Sequence, residues 1–375
     1  MSGKNIINHM AKTRTATLAK ARQIEFREYD LPQVKEDEIL VKVEGCGICG
    51  TDVHEFKGEP FGIAPLVLGH EGTGEIVALG KNVTVDTQGK PVKVGDKVVS
   101  SILVCGHCPS CLRFPEKPNL CSNLGVYGLI SDDDFHLNGW FANHILLRKG
   151  STFFEVNKYT LDERMLLEPA CVVVHALERA KTVNIMNFSS FVLVQGCGPI
   201  GLLQIAVLKA YGIENIIALD SVAKRLDMAK KMGASFVINA ASFDTIEKRV
   251  AEVQRITGGY GVDFAFQCTG NPVAASEVFK YIRRGGGLCE LGFFVDNGST
   301  TYNPHQDFCN KEITVVGSWV YSAQEYLLTM SFMNRAKTMN IPVAELVTDK
   351  FTLDEIVKAM ETNIAMSGLK VAIVI

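Results

Sequence analysis

Apolar and polar residues change their spacing along this chain, and the change predicts two different kinds of structure. From Thr15 to Val53, short apolar runs alternate with polar positions, as in Ile24–Phe26 and Ile39–Val43. A period of two is typical of half-buried antiparallel strands, and Pro32 supplies a turn between them. The same pattern continues over residues 67–80 and 92–101. The first part of the chain is therefore predicted to be mainly β.

Beyond residue 161, apolar strands alternate with amphipathic helices. A helix begins near Leu161, with Thr160 or Asp162 placed to cap it. The predicted strands are 191–195, 216–219, 236–238, 262–267, 288–292 and 313–317, and the helices include 199–211, 223–232 and 323–339. Such repetition favours a parallel sheet covered on both faces. The tail, with a helix near 353–361 and a strand at 370–374, has no such unit and is predicted to return to the first domain.

Length and composition bound the class of protein. A chain of 375 residues is too long for one ordinary core, so two domains are expected. The net charge of -3 gives no reason to expect nucleic acid or a membrane surface as partner. Residues 1–14 lack the apolar core of a secretory signal, which favours the cytoplasm. The 11 cysteines, an odd number in a long chain, favour metal ligation over disulfides.

The stretch GCGICGTDVH, followed by GHE, holds a candidate catalytic metal site. Cys49, His70 and Glu71 offer a thiol, an imidazole and a carboxylate within one short window. Three protein ligands with one position left for water or substrate are typical of catalytic zinc. Thr51 and His54 lie between these ligands in the sequence and are able to pass a proton.

A second metal site is predicted from four closely spaced cysteines. They are Cys105, Cys108, Cys111 and Cys121. Four thiolates close a tetrahedral structural zinc site and pin a polar loop that cannot pack by itself. An iron–sulfur cluster uses similar spacing, but the surrounding pattern favours zinc. The other thiols are predicted to be mostly small buried hydrophobes: Cys46, Cys171, Cys197, Cys268, Cys289 and Cys309.

A glycine-rich loop follows the first predicted strand of the second half. It reads Gly196, Cys197, Gly198, Pro199, Ile200, Gly201, a G-x-G-x-x-G between a strand and a helix. Its glycines permit a tight turn and the close approach of a pyrophosphate at the helix N-terminus. Asp220 ends the next strand, where an acid accepts the ribose hydroxyls and repels a 2′-phosphate. NAD is therefore favoured over NADP, with Lys224 or Arg225 as further contacts.

Together, a nucleotide cradle and an open metal site favour hydride transfer between an alcohol and nicotinamide. Zinc lowers the pKa of an alcohol so that its carbon releases hydride, and Thr51 and His54 carry the proton away. A metal hydrolase would not require the glycine loop. A non-catalytic NAD-binding zinc sensor would not require the proton relay.

These motifs resemble the zinc-dependent medium-chain dehydrogenase/reductase family of the alcohol dehydrogenase superfamily, especially its sorbitol and threonine dehydrogenase-like branch. The resemblance rests on GICGTDVH, GHEGTGEIVALG, CGHCPSC, LLEPACVVVHAL and VLVQGCGPIGLL. It implies an α/β fold with two parts, a GroES-like mainly-β catalytic domain at 1–172 and 340–375 and a Rossmann NAD-binding domain at 173–339. It also implies a homodimer or homotetramer.

The resemblance assigns roles to individual residues. It implies catalytic zinc at Cys49, His70 and Glu71, a relay through Thr51 and His54, and Asp52 as the carboxylate that orients the zinc histidine. It implies structural zinc at the four cysteines. NAD contacts are expected at the residues of the glycine loop, Asp220, Arg225, Leu291 and Gly292.

Glu168 sets the branch within the family. Dehydrogenases of simple primary alcohols have a cysteine there, whereas the polyol and amino-alcohol branch has a glutamate. Glu71 and Glu168 are then expected to exchange on the metal or to hold its water. Glu55 stands where sorbitol dehydrogenases carry a substrate-facing tyrosine, and Val320 where they carry an arginine. Glu55 is a candidate acceptor for substrate hydroxyls or a partner for an amine.

The predicted activity is NAD-dependent oxidation of a secondary alcohol to a ketone, on a polyol, cyclitol or sugar-derived substrate. An amino-alcohol or primary-alcohol substrate is the alternative within the enzyme class.

The longer gap before the fourth structural cysteine, around residues 114–117, is expected to bulge the loop and keep the metal.

Overall fold

The computed structural model describes residues 11–58 and 60–375. Residues 1–10, part of the segment interpreted as lacking a secretory signal, lie outside them. The second half of the chain forms a six-stranded sheet in which each neighbouring pair is parallel. In spatial order its strands are Phe236–Asn239, Asn215–Asp220, Phe191–Gln195, Val262–Gln267, Ile282–Glu290 and Thr314–Gly317. The doubly wound sheet predicted from the sequence is confirmed.

Both faces of this sheet are buried, which explains its nearly continuous apolar strands. Val192 and Val194 pack into one apolar cluster, whereas Leu193 between them packs into another on the opposite face. The first cluster includes side chains of helices Leu167–Lys181, Pro199–Tyr211, Ala223–Met232 and Glu325–Thr338. The second includes side chains of helices Ile246–Ile256 and Pro272–Tyr281.

The first half of the chain forms a mainly antiparallel β domain. A three-stranded sheet contains Gln23–Asp30, Lys12–Lys20 and Leu66–Val67. A seven-stranded sheet contains Val347–Phe351, Lys370–Val374, Ile39–Gly47, Glu71–Leu79, Lys97–Ser100 and Phe153–Glu155, with His144–Leu147 paired to Ile39–Gly47. Ala372 lies opposite Gly47, so the C-terminal strand pairs with a strand from the start of the chain.

Several predicted boundaries were wrong. The alternation up to Val53 predicted strands, but Gly50–Gly58 is a helix. Its first turn is stabilised by the Asp52 carboxylate, which accepts the Cys49 N–H at 2.8 Å, and this local bond outweighs strand propensity. The strand predicted at 288–292 runs over Ile282–Glu290 instead, so Leu291 and Gly292 lie in the loop after it.

The remaining helices are short or lie near the domain boundaries. They are Pro109–Arg113, Leu161–Met165 and Ile356–Ile364. Thr160 caps the second of these in a capping box with Glu163, in agreement with one of the two predicted caps. Within the described part of the chain, no helix is both long and apolar enough to cross a membrane.

Candidate active site

Three of the predicted zinc ligands converge beside the helix Gly50–Gly58. The Cys49 thiol, the His70 imidazole and a Glu71 carboxylate oxygen lie within 4.8 Å of one another. Cys49 immediately precedes the helix, and Glu71 begins the strand Glu71–Leu79. A soft thiolate, an imidazole and a carboxylate at these separations form a donor set that suits zinc.

Asp52 holds two of these donors in place. It is fully buried, and one of its oxygens accepts the Cys49 N–H. The other accepts the Gly69 N–H at 3.1 Å and lies 3.2 Å from Nδ1 of His70. With Nδ1–H donating to this carboxylate, the Nε2 lone pair of His70 is left for a metal.

The electrostatics of His70 also suit a cation. Burial lowers the pKa of this imidazole, but the Asp52 carboxylate more than offsets that effect, so the pKa lies well above its usual value. The site thus favours positive charge on His70, and a bound metal ion supplies it in place of the proton.

Lys370 is a contributor to this site that sequence reasoning missed. It lies in the C-terminal strand, and its buried ammonium forms an ion pair with the Glu71 carboxylate. Burial lowers the pKa of Lys370, but the charges of Glu71 and Cys49 raise it above its usual value. A lone lysine opening the apolar run KVAIV was the available signal.

Glu168 faces the same cleft from the first turn of helix Leu167–Lys181. It lies outside the cluster of three close donors. Burial raises the pKa of Glu168 to about 7, so a proton is readily gained or lost there near neutral pH. The Tyr321 phenol, also fully buried and also missed by sequence reasoning, interacts with Glu168, and burial raises the pKa of Tyr321 well above its usual value.

The four loop cysteines also come together, within 4.8 Å of one another. Sγ of Cys121 lies 3.5 Å from Sγ of Cys105. Sγ of Cys108 accepts backbone N–H groups of Cys111 and Ser122, which lower the pKa of Cys108 to about 5, whereas burial and the neighbouring thiols raise the pKa of Cys111 to about 12. Because metals bind thiolates, this environment suits a four-thiolate zinc site. The extra residues 114–117 lead into a short turn, Pro118–Leu120, without separating the four thiols.

The glycine loop lies where the strand order of the parallel sheet reverses, between Phe191–Gln195 and Val262–Gln267. A Cβ on Gly201 would lie 1.8 Å from the Gly196 carbonyl, so only glycine permits this close packing. A Cβ on Gly198 would meet nothing within 4 Å, which leaves open space above the loop. Pro199 begins the following helix. This geometry suits a pyrophosphate at the helix N-terminus.

Asp220 ends the neighbouring strand, as predicted, and its carboxylate is tied to the glycine loop. One oxygen accepts the Cys197 N–H at 2.7 Å, and the other accepts the Val222 N–H at 2.8 Å. Arg225 lies 3.8 Å from the same carboxylate. Each oxygen retains a second lone pair, so the group is still able to accept from ribose hydroxyls.

One cavity of about 670 Å³ joins the metal donors to the sheet edge. One side of the cavity is lined by the metal donors and the predicted relay residues, which are Cys49, His70, Glu71, Glu168, Thr51 and His54. The other side is lined by Ile200, Leu291 and Gly292. Glu55 contributes differently from what was predicted. It is fully buried and accepts the Phe61 N–H at 3.2 Å, so it holds a cleft loop.

An open metal site that faces the switch point of a dinucleotide-binding sheet defines a metal-dependent dehydrogenase. Residues 35–157 match the family described as "Alcohol dehydrogenase GroES-like domain", and residues 199–335 match "Zinc-binding dehydrogenase". The chain belongs to this zinc-binding dehydrogenase family of the alcohol dehydrogenase superfamily. It is an oxidoreductase that uses zinc and a nicotinamide dinucleotide and acts on a small-molecule alcohol.

Relatives cover nearly the whole chain. Sorbitol dehydrogenase from Bacillus subtilis (strain 168) is 32% identical over 93% of this chain and 92% of its own length. 5-exo-hydroxycamphor dehydrogenase from Pseudomonas putida is 31% identical, covering 94% of this chain and 96% of its own. An alcohol dehydrogenase structure from Thermotoga maritima has a TM-score of 0.89 at 29% identity, covering 97% of this chain and 99% of that one.

Proposed function

We propose that this protein catalyses the reversible, NAD-dependent oxidation of a secondary alcohol to a ketone, with a polyol, cyclitol or sugar-derived compound as substrate. One observation carries the proposal. The Cys49, His70 and Glu71 donors and the carboxyl end of the parallel sheet line the same cavity. The sorbitol dehydrogenase relative supports the substrate class.

The donor set assigns the metal roles. Cys49, His70 and Glu71, with Glu168 in reach of the same cavity, would hold a catalytic zinc, and the four loop cysteines a structural one. A zinc ion at the first site supplies Lewis acidity that lowers the pKa of an alcohol. Asp52 keeps His70 in the ligating tautomer, and Lys370 balances the buried charge of Glu71.

Proton transfer is assigned to side chains of the helix Gly50–Gly58. Thr51 and His54 both line the cavity, and His54 is partly exposed. The Thr51 hydroxyl would receive the alcohol proton, and the His54 imidazole would pass it to water. Glu168, with its pKa near 7, would hold a second proton or a water in the same cavity.

The cofactor assignment follows from the glycine loop and Asp220. The pyrophosphate would be held by the glycine loop, which consists of Gly196, Cys197, Gly198, Pro199, Ile200 and Gly201. The nicotinamide end would be held by Leu291 and Gly292. Asp220 would accept from the adenosine ribose and repel a 2′-phosphate, which favours NAD over NADP. Arg225 lies beside that carboxylate as a further contact.

The domain division proposed is 1–172 with 340–375 for the catalytic part and 173–339 for the nucleotide-binding part. Pairing of the C-terminal strand with Ile39–Gly47 supports it.

We also propose a cytoplasmic homodimer or homotetramer. The strand Thr314–Gly317 is at the edge of its sheet with Thr314 and Val315 exposed, and such edges pair readily with a second copy. With a net charge of -3, nucleic acid and membranes are not expected partners.

A substrate panel tests the proposed activity. The zinc-loaded protein and NAD are mixed with polyols, cyclitols and simple secondary and primary alcohols, and NADH absorbance is followed. Turnover of secondary alcohols supports the proposal. Turnover confined to primary or amino alcohols moves the assignment to that class, and silence across the panel favours a non-catalytic sensor.

A further inference from the structure

Three aromatic rings form a wall across the cavity. Phe294 stacks on Trp319 with ring centroids 4.8 Å apart and planes 5° from parallel. Phe61, from the catalytic part of the chain, meets Phe294 edge-on at 6.2 Å. The buried Glu55 carboxylate accepts the Phe61 N–H, which fixes the loop that carries this ring. We call Phe61, Phe294 and Trp319 the aromatic wall.

The aromatic wall is unusually open to solvent for such large rings. Phe61 is 40% exposed, Phe294 37% and Trp319 43%, although all three line a cavity. Exposed apolar surface inside a concave site marks the place where a ligand buries its own apolar surface. Aliphatic side chains extend the same surface: Ile63, Leu124, Val126 and Leu129.

Polar groups in the cavity are concentrated in the reaction machinery. Its histidines and carboxylates, His54, His70, Glu71 and Glu168, are the residues already assigned to metal and proton chemistry. Among the neutral groups, the Asn297 amide already donates to the Gly270 carbonyl, whereas the buried hydroxyl of Ser318 has no hydrogen-bond partner among the described residues. Val320 adds a further apolar group. A substrate that contacts the aromatic wall therefore meets mainly carbon there, and any hydroxyl placed against it without a partner is costly.

A ring is the substrate shape that this surface favours. A flat C–H face stacks on an aromatic ring and loses little conformational freedom on binding, whereas a flexible chain must be ordered. We propose that the aromatic wall selects a cyclic secondary alcohol, one whose carbinol carbon belongs to a ring, over an open-chain alcohol. This inference rests on the proposed function and narrows its substrate class.

Matched pairs of substrates test the selection. Cyclohexanol is compared with 2-hexanol, and myo-inositol with sorbitol, so that carbon number is constant within each pair and the hydroxyl count is matched. We expect kcat/KM of the zinc-loaded enzyme to favour the ring by about tenfold in at least one pair. A ring preference in neither pair would overturn the inference while leaving the proposed oxidation intact.

Variants assign the preference to the wall. Trp319→Ala is expected to remove most of the ring preference, and Trp319→Phe to keep part of it. Phe188→Ala is the matched control, because Phe188 is 78% exposed and does not line the cavity. A ring preference that survives in Trp319→Ala contradicts the assignment.

Binding supplies a readout that does not need turnover. The chain has 2 tryptophans, and Trp140 is fully buried outside the cavity, so a cavity ligand should quench Trp319 selectively. In the presence of zinc and NAD, cyclohexanone is expected to quench the fluorescence at lower concentration than 2-hexanone, with Trp319→Phe as the blank. Stronger quenching by cyclohexanone without turnover of any alcohol would contradict the proposed function and support ring selection by the aromatic wall. Equal quenching by both ketones would contradict ring selection.

Discussion

The side-chain amide of Asn119 donates a hydrogen bond of 2.9 Å to the backbone carbonyl of Trp319, a residue 200 positions away in the sequence. Asn119 belongs to the loop that carries the four cysteines. Its amide also lies 3.5 Å from Nε2 of His175, whose Nδ1 is 2.7 Å from the Glu325 carboxylate. The loop that carries the four cysteines thereby contacts the wall of the cavity.

Replacing Asn119 should therefore alter substrate binding. In Asn119→Ala we expect KM for the best alcohol to rise by about fivefold, the equivalent of one hydrogen bond, with a smaller change in kcat. Steady-state kinetics give the split between the two constants. Asn82→Ala removes an exposed asparagine paired with Asp37 and serves as the control. An unchanged KM in Asn119→Ala would show that Trp319 is held by other contacts.

Loss of the structural metal should leave the catalytic donors in place. Cys108→Ser is expected to reduce the zinc content by one ion per chain and to raise KM through the loop that carries Asn119. Metal analysis after gel filtration measures the content. Cys309→Ser is the control, because this thiol lies outside the cluster and is exposed, which shows that the prediction of a buried thiol there was wrong. A folded Cys108→Ser protein with unchanged zinc content would remove the structural-zinc assignment.

Lys370 should be required for stability because it balances a buried carboxylate. Lys370→Met leaves Glu71 without its cation, and we expect a loss of about 3–5 kcal/mol in the free energy of unfolding. Lys370→Arg should restore most of it. Urea unfolding of the zinc-free proteins, in which no metal ion shares the charge of Glu71, measures the difference.

The stability difference between the wild type and Lys370→Met follows the titration of Lys370. The pKa of Lys370 is raised above 10.5 in the folded protein, so its contribution is fully present below that value and is lost only as pH rises through the folded pKa. The gap between the wild type and Lys370→Met should thus be constant between about pH 6 and 9 on this account. A stability of Lys370→Met equal to the wild type would show that the pair is not needed.

His54 should set the acid limb of the rate profile. Burial, and then the charge of Lys57, lower the pKa of His54 below 6.5, and the imidazole accepts a proton only when neutral. The rate of alcohol oxidation should therefore persist to lower pH than an ordinary imidazole would allow, and it should fall to half at the pKa of His54. Lys57→Met should move the decline to higher pH, and His54→Gln should lower kcat by about 100-fold. A profile that Lys57→Met leaves in place would disconnect the limb from His54.

Asp220 should control the choice of cofactor. Asp220→Ala removes the charge that repels a 2′-phosphate, so the ratio of kcat/KM for NAD to that for NADP should fall by about tenfold or more. Asp227→Ala, on the following helix and exposed, is the control. The same ratio in Asp220→Ala and the wild type would separate this carboxylate from the ribose.

Local patterns predicted the parallel sheet well, because its central strands are buried on both faces and its glycine and acidic residues follow at fixed places. Phe191–Gln195, Pro199–Tyr211 and Ala223–Met232 have the predicted bounds. The strand Ile282–Glu290 begins earlier than predicted. Three consecutive glycines interrupt its apolar residues, so the pattern of apolar runs did not indicate its first half. The helix Gly50–Gly58 was not predicted, because its first turn depends on a hydrogen bond from the Cys49 N–H to the Asp52 carboxylate, and a pattern of apolar residues does not reveal that bond.

The close metal donors were also predictable, since Cys49, His70 and Glu71 are near in sequence and chemically distinctive. Contacts between distant segments were not. Lys370 reaches Glu71 only because the last strand inserts beside Ile39–Gly47, and nothing local to either residue indicates it. The same is true of Asn119 and Trp319. The sequence suggested Glu55 as a substrate contact, but its carboxylate accepts a hydrogen bond from the backbone N–H of Phe61, which the sequence did not indicate.

The central claim is that alcohol oxidation depends on a zinc ion held by Cys49, His70 and Glu71. The most direct test is to remove the metal, add zinc back in steps, and follow bound zinc together with NADH formation from NAD and the best alcohol. Activity should return with the zinc equivalent that Cys49→Ser cannot bind, and Cys49→Ser should keep the structural zinc while forming no NADH. NADH formation at the wild-type rate by Cys49→Ser, or by the zinc-free protein, would contradict the account.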